Sequence, residues 1–182
     1  MVYQDAGGIH YLTGSLADTA VPTPTFATQS RYVGLAKDSA QIIDTKTWTT
    51  LSIPGAQQVH DLNESGIVVT TASQVLVLDH RGKTRMALPL RKIEKDVVED
   101  TYYLRPDGSR FVVIRGGEER VETFDPRTGK RVSTVAPKIP DDDFLHVGLG
   151  WAKEGPFLVR TYNSKRVYYL DLATGKLWRR RK

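Results

Sequence analysis

Apolar and polar positions along this chain alternate in short bursts that stop at Asp, Asn, Gly or Pro and then resume. Alternation with a period of two, rich in β-branched and aromatic residues and bounded by turn formers, predicts β-strands. One such burst recurs four times, each copy a strand, an Asp, a tight turn and a second strand. The copies are QIIDTKTWTTLSI (41–53), QVLVLDHRGKTRMALPL (74–90), RVETFDPRTGKRVSTVA (120–136) and RVYYLDLATGKLWRR (166–180). Their central residues Asp44, Asp79, Asp125 and Asp171 are spaced 35, 46 and 46 residues apart.

Each copy is preceded by two further strand-like segments. SRYVGLAKD (30–38), SGIVVTTAS (65–73), SRFVVIRGG (109–117) and GPFLVRTYN (155–163) read as second strands, B. Upstream of them, PTFAT (24–28), QVHDLNE (58–64), VVEDTYYLRPD (97–107) and DFLHVGLGWAK (143–153) read as first strands, A. The repeating unit is thus four short antiparallel strands, A to D. Repeats of this length with several strands each are the mark of β-propeller blades. The expected fold is all-β: a single β-propeller domain over residues 1–182, with about four four-stranded blades and an N-terminal hairpin.

The C–D turns have a physical logic. An Asp at the head of a turn accepts hydrogen bonds from the N–H groups that follow it, and a Gly at the far end supplies positive φ where the next strand resumes. Gly82, Gly129 and Gly175 fill that place, whereas DTKTW in the first copy has no Gly and is expected to be the least regular of the four turns. LRKIEKDVVED (90–100) is the one stretch with helix-compatible composition, enough for a single turn in a loop. ADTAVPTPT (17–25) reads as an extended connector. Ahead of the four units, VYQDAGGIHYLTG (2–14) reads as an extra hairpin, giving eighteen strands in all. Eighteen is not a multiple of four, so the reading favours a fragment of a larger ring, or a homodimer completing one composite propeller, over a four-bladed ring with an added hairpin.

Composition narrows the chemistry. The chain has no cysteine, which removes disulfides and thiolate catalysis. No apolar run reaches the roughly 18 residues that span a bilayer. The start, MVYQDAGGIHYL, has neither a basic opening nor an apolar core, so no signal peptide is expected there. The terminal Arg179, Arg180, Arg181 and Lys182 carry four of the five net positive charges. With no aromatic platform or nucleic-acid motif beside it, this tail is read as a solvated chain end, and nucleic acid is not the favoured partner.

VYYLDLATGKLWRR resembles the repeat of the PQQ-like propellers at Asp171, Thr174, Gly175 and Trp178, and FDPRTGKRVSTV matches it at Asp125, Thr128 and Gly129. YYLRPDGSRFVVI (102–114) is similar to the repeat of TolB-like and other WD40-like propellers at Pro106, Asp107 and Gly108. The resemblance implies the propeller superfamily and, by analogy of fold, leans toward bacterial exported and envelope proteins. A quinoprotein dehydrogenase would imply a cofactor with a metal, often beside a cysteine pair; this chain has no cysteine and no recognisable cofactor-contacting set, so no cofactor is expected.

Asp141, Asp142 and Asp143 form the sharpest acidic feature, and hard carboxylate oxygens suit Ca²⁺ or Mg²⁺. The run lacks the spaced DxDxDG pattern, and a solvated acidic loop is the favoured reading. His60 and His146 fall in A strands, which line a propeller's central channel, with Asp61 beside the first and Asp143 three residues before the second. No histidine has the HxH or HxxxH spacing of a zinc site, there is no GxSxG nucleophile elbow, and GLG (148–150) and RGG (115–117) do not lead into helices. Trp48, Trp151, Trp178, Tyr102, Tyr103, Tyr168 and Tyr169 are expected to pack between blades.

The charged loops RKIEKD (91–96), RGGEER (115–120), KIPDDD (138–143) and NSKR (163–166) should emerge on one face, that of the D–A and B–C connections. A surface of both charge signs suits selective protein contacts. The favoured function is therefore a non-enzymatic scaffold docking a protein partner through Arg91, Lys92, Glu118 and Arg120. The alternative is an enzyme or small-ligand or metal-binding propeller whose channel uses His60, Asp61, His146 and the acidic run.

Overall fold

The computed structural model describes residues 2–5, 8–12, 18–21, 26–27, 32–36, 39–91, 99–140, 143–152 and 155–179. Among them are nineteen strands and no helix, and every strand pairing is antiparallel between neighbours in the chain. The chain divides into two compact units, Met1–Leu90 and Arg91–Lys182.

In the first unit, β1 (Val2–Asp5), β2 (Gly8–Leu12) and β3 (Asp18–Val21) form a three-stranded sheet. The expected hairpin is present, with Tyr3 opposite His10. The expected connector departs from the reading: Asp18–Val21 pairs along β2, Leu12 facing Asp18 and Ile9 facing Val21. An extended segment beside an open strand edge satisfies its own N–H and C=O groups by pairing there. Two four-stranded sheets follow. The first is β4 (Phe26–Ala27), β5 (Tyr32–Ala36), β6 (Ala40–Asp44) and β7 (Thr49–Ile53); the second is β8 (Gln58–Asn63), β9 (Gly66–Thr70), β10 (Gln74–Leu78) and β11 (Thr84–Pro89).

The second unit holds two more: β12 (Thr101–Leu104), β13 (Phe111–Arg115), β14 (Arg120–Phe124) and β15 (Arg131–Val135), then β16 (Leu145–Trp151), β17 (Phe157–Thr161), β18 (Val167–Leu170) and β19 (Leu177–Trp178). Four consecutive four-stranded meanders make the chain a β-propeller of about four blades. The helix-compatible stretch falls largely outside the described residues.

Sequence pattern explains which strand lies where. The B-strand segments GIVV (in β9) and FVVI (in β13) are unbroken apolar runs, and all of those residues are buried; a strand covered on both faces has no polar side to show. The D strands TTLSI (β7) and RVSTV (β15) bury only their last residue. In the first unit Ile42, Val59, Leu62, Ile67, Val69 and Leu78 share one core between the two blades. In the second, Val112, Ile114, Val121, Phe157, Val159 and Leu170 do the same. Tyr103 of β12 crosses to β16, donating from its hydroxyl to the Gly148 carbonyl at 2.7 Å, with its ring edge-on to Phe157. A Cβ at Gly148 would lie 2.6 Å from Tyr103 and 2.7 Å from Phe157, so only hydrogen fits there.

All four C–D turns are built as their Asps predict. Asp44 accepts from the Lys46 N–H, Asp79 from Arg81 and Lys83, Asp125 from Arg127, and Asp171 from Ala173 and Thr174, at 2.8–3.1 Å. These donors outweigh the slight desolvation and hold the carboxyls of Asp79, Asp125 and Asp171 below the usual range. Gly129 and Gly175 donate back to Asp125 and Asp171 with φ of 69° and 74°. The first turn is not irregular. Trp48 occupies the same place, donating to the Asp44 carbonyl with φ of 57°, and Asp44 stays in register with Thr49. The missing glycine is felt as strain on one residue, because the turn's hydrogen bonds fix the path and leave φ no choice. Trp48, at 43% exposure, and Trp178, at 40%, also stand out from the expected packing of aromatics between blades.

Candidate functional site

The third blade, β12–β15, carries a chain of ion pairs at the end where strand A begins and B turns into C. Asp100 stands one residue before β12, its side chain 1% exposed. It accepts from Arg91 Nη2 at 2.7 Å, Arg115 Nη1 at 2.7 Å and the Gly116 N–H at 3.0 Å. Arg115, last residue of β13, also donates through Nε to Glu122 at 2.7 Å. Glu122, 4% exposed in the middle of β14, receives Arg131 Nη1 at 3.1 Å and lies 3.8 Å from Arg120. Glu118 in the B–C turn closes the chain, pairing with Arg91 and, at 2.7 Å, with Arg120. Arg91 ties in once more by donating to the Gly116 carbonyl at 2.7 Å.

Burial opposes ionisation of Glu122, but the Arg115 guanidinium, helped by Arg120 and Arg131, outweighs it and holds the carboxyl below its ordinary value. Burial likewise works against the charged form of Arg115, and its hydrogen bonds to Asp100 and Glu122 more than offset this, raising it. A buried charge needs such paired, hydrogen-bonded company to be tolerated at all. At the rim the network meets solvent through Glu118, 37% exposed, and Arg120, 43% exposed. Three of the residues expected to dock a partner, Arg91, Glu118 and Arg120, are thus joined here, while Lys92 lies outside the described residues. Asp100, Arg115 and Glu122, which hold those three in place, were not singled out from the sequence. One signal was available: an acid just before strand A in both the third and the fourth unit.

The fourth-unit acid is Asp143. It is buried, and its oxygens accept from the N–H groups of Phe144 (2.9 Å), Asn163 (2.8 Å) and Ser164 (3.0 Å) and from the Ser164 hydroxyl (2.5 Å). Desolvation raises its pKa, and the Ser164 and Asn163 donors overcome this and hold the carboxyl far below the usual range. Asp141 and Asp142 lie outside the described residues. Among the described residues no three His, Asp or Glu side chains converge in the manner of a metal site.

The two histidines expected to line a channel, His60 and His146, occupy matching irregularities. His60 is the extra residue of a bulge in β8, where Val59 faces Val69 and Asp61 faces Val68. His146 is the extra residue of a bulge in β16, between Leu145 and Val147. Bulges re-aim side chains. His60 Nε2 sits 3.0 Å from the Thr70 hydroxyl, and desolvation lowers its pKa to about 4. His146 meets the Tyr162 ring edge-on, and its buried Nδ1 has no hydrogen-bond partner. Desolvation, then the charges of Lys165 and Arg160, lowers its pKa as well. His60 belongs to the first unit and His146 to the second. Asp61 lies buried in β8, and one of its oxygens accepts from the Leu62 N–H at 2.7 Å.

The sheets and turns define a β-propeller protein, and no helix among the described residues is long and apolar enough to cross a membrane. The chain is similar in structure to a protein of unknown function from Bacteroides caccae, with a TM-score of 0.57 and 13% identity over 98% of this chain and 70% of that one. It is also similar to Hsv2 from Kluyveromyces lactis, with a TM-score of 0.47 and 11% identity over 94% of this chain and 70% of that one. Likeness at such identities concerns the fold alone. No family model matches the sequence, and no curated protein matches it.

Proposed function

We propose that this chain is a non-enzymatic β-propeller scaffold, with repeats of the PQQ-like or WD40-like kind, that docks a protein partner on the D–A and B–C connections of its third blade. One observation carries the reading: Glu118 and Arg120 are held at the surface by each other and by residues anchored to the buried Asp100 and Glu122. Charges fixed before a partner arrives lose little side-chain freedom on binding, and a patch of both signs discriminates between partners. Arg91 belongs to the face and to its support at once, and Lys92 adjoins it in the sequence.

The test spares Arg91. Proteins cross-linked to the wild-type chain in a native extract are identified, and the affinity of each is measured by calorimetry against a triple variant, Lys92→Glu, Glu118→Lys and Arg120→Glu, whose fold is checked by circular dichroism. A loss of binding of about tenfold or more is expected, the order typical of removing charge pairs at an interface. Unchanged affinity in a folded variant would overturn the proposed face.

A further inference from the structure

The B–C turn of the fourth blade gathers positive charge around one ring. Tyr162, 44% exposed, has Phe144 stacked on it at 4.7 Å and the His146 ring edge-on at 5.0 Å. The Lys165 ammonium lies 4.5 Å from the centre of the same ring. Lys165 reaches it from a left-handed backbone, φ 55°, which residues with a Cβ seldom adopt. Residues held in such conformations collect at ligand sites, where the surrounding structure over-determines them. His146 is presented by the bulge in β16, and Arg160 of β17 faces Val147, the residue that follows the bulge.

Polar atoms here are left without partners. The Nε–H of Arg160 and Nδ1 of His146 are buried, and neither makes a hydrogen bond. Among the described residues neither Arg160 nor Lys165 is paired with a carboxylate, whereas Arg91, Arg115, Arg120 and Arg131 of the third blade all are. Asp143, the carboxylate that grips this turn, is committed to the Phe144, Asn163 and Ser164 donors. The charges that act on His146 are those of Lys165 and Arg160, both positive. A buried donor without an acceptor is disfavoured, and here it coincides with positive charge that nothing balances. One kind of occupant removes both deficits, an oxyanion.

We infer that Arg160, Lys165 and His146 form a binding site for a phosphate group, either free or carried on a small ester. Guanidinium and ammonium groups supply the charge-assisted hydrogen bonds that phosphate oxygens accept best. Neutral His146 adds an N–H in the tautomer that places its proton on Nδ1. Donors from two strands and a turn match a tetrahedral dianion better than a planar carboxylate, which a single guanidinium fork satisfies. None of these residues belongs to the proposed face of the third blade, so the two readings stand or fall separately.

The full chain is titrated near neutral pH and at constant ionic strength with inorganic phosphate, glycerol 3-phosphate and acetate. The readout is the NMR signal of the His146 ring, assigned by its loss in His146→Gln. The expected result is a saturable shift with a dissociation constant of about 0.1–1 mM for phosphate, the range of a few charge-assisted hydrogen bonds at a partly exposed site, and about tenfold weaker binding of acetate. Glycerol 3-phosphate binding as tightly as inorganic phosphate marks an esterified ligand, and weaker binding of it marks the free anion. Arg160→Gln and Lys165→Asn should each weaken phosphate about tenfold with an unchanged melting curve, Asn being a residue that tolerates left-handed backbone. Should Arg160→Gln fail to fold, Lys165→Asn, at an exposed turn, decides alone. No saturable shift at about 50 mM phosphate, far above the expected range, equal affinity for acetate, or an affinity indifferent to Lys165→Asn would each overturn the inference.

Discussion

Asp100 and Asp143 do the same mechanical job with different chemistry. Each stands just before strand A of its blade and grips the B–C connection of that blade, fixing where the first strand enters the sheet. Asp100 does so mainly with guanidiniums, Arg91 and Arg115, plus the Gly116 N–H. Asp143 uses neutral donors, three backbone N–H groups and the Ser164 hydroxyl. The difference lies in what is left over. Guanidiniums are long and multivalent, so the charged clamp extends outward into Glu118, Arg120, Glu122 and Arg131, while the neutral clamp ends where it begins. It is this outward extension that puts the proposed docking face on the third blade, although the fourth has the more conspicuous run of acids.

The sharpest way to break the comparison is Asp100→Ala. It takes one acceptor from each of two half-buried guanidiniums and the side-chain acceptor from the Gly116 N–H. Arg115 keeps Glu122, and Arg91 keeps Glu118 and the Gly116 carbonyl, so the cost is about 3 kcal/mol, the low end for removing one partner of a buried ion pair. Urea denaturation should show the fall in midpoint. Asp143→Ala removes charge-assisted hydrogen bonds from neutral donors and leaves no cation behind, so the same measurement should show a smaller loss. An equal loss in the two variants would show that the charges add nothing to the clamp.

Acid sharpens the contrast further. His60 has its pKa lowered to about 4 by desolvation, so the unfolded chain takes up the proton first. Stability should then decline as pH falls from about 6.5 to about 4. Asp143 and Glu122 have lowered values, so their contribution is whole above the unfolded carboxylate range and is lost below about pH 4. Urea midpoints at pH 7, 5.5 and 3 should therefore fall in two stages. His60→Gln should flatten the upper stage and Asp143→Asn should reduce the lower. A single-stage profile in the wild-type chain would contradict this.

The smallest expected effect lies in the first unit. Trp48 holds a left-handed conformation that costs an L-residue about 1–2 kcal/mol and costs glycine nothing sterically. Trp48→Gly should stabilise by about 0.5–1 kcal/mol, since added freedom in the unfolded chain offsets part of the gain. The same unfolding experiment reads it, and a destabilised variant would mean that the indole's own contacts outweigh the strain.

These contrasts also mark what was legible in the sequence. The Asp-headed turns and the period of the repeat were written in residue types whose backbone preferences are local, and the four sheets follow them closely. The third N-terminal strand was missed because DTAV is short and lies in a Pro/Thr-rich stretch, and its pairing depends on the free edge of β2, a tertiary circumstance. Trp48 was missed for the converse reason: the turn's hydrogen bonds impose a φ that the residue's own preference argues against. At the proposed face, Arg91, Glu118 and Arg120 were found by their exposure in loops. Asp100, Arg115 and Glu122 escaped because a buried charge looks, in sequence, like any other charge in a strand or at its edge. Asp143 showed the limit of composition, since three consecutive acids read as a solvated loop, with a cation as the lesser reading, whereas its carboxylate is buried and filled by backbone N–H groups and the Ser164 hydroxyl.

Because each sheet pairs only strands adjacent in the chain, structure can be acquired in the order of synthesis. Residues 101–135 contain all four strands of the third blade, so its hydrogen bonding needs nothing translated later. Contacts this local close quickly and expose few unpaired edges while the ribosome is still at work. The charged clamp, whose most distant member is Arg131, can close before Asp143 has been added to the nascent chain.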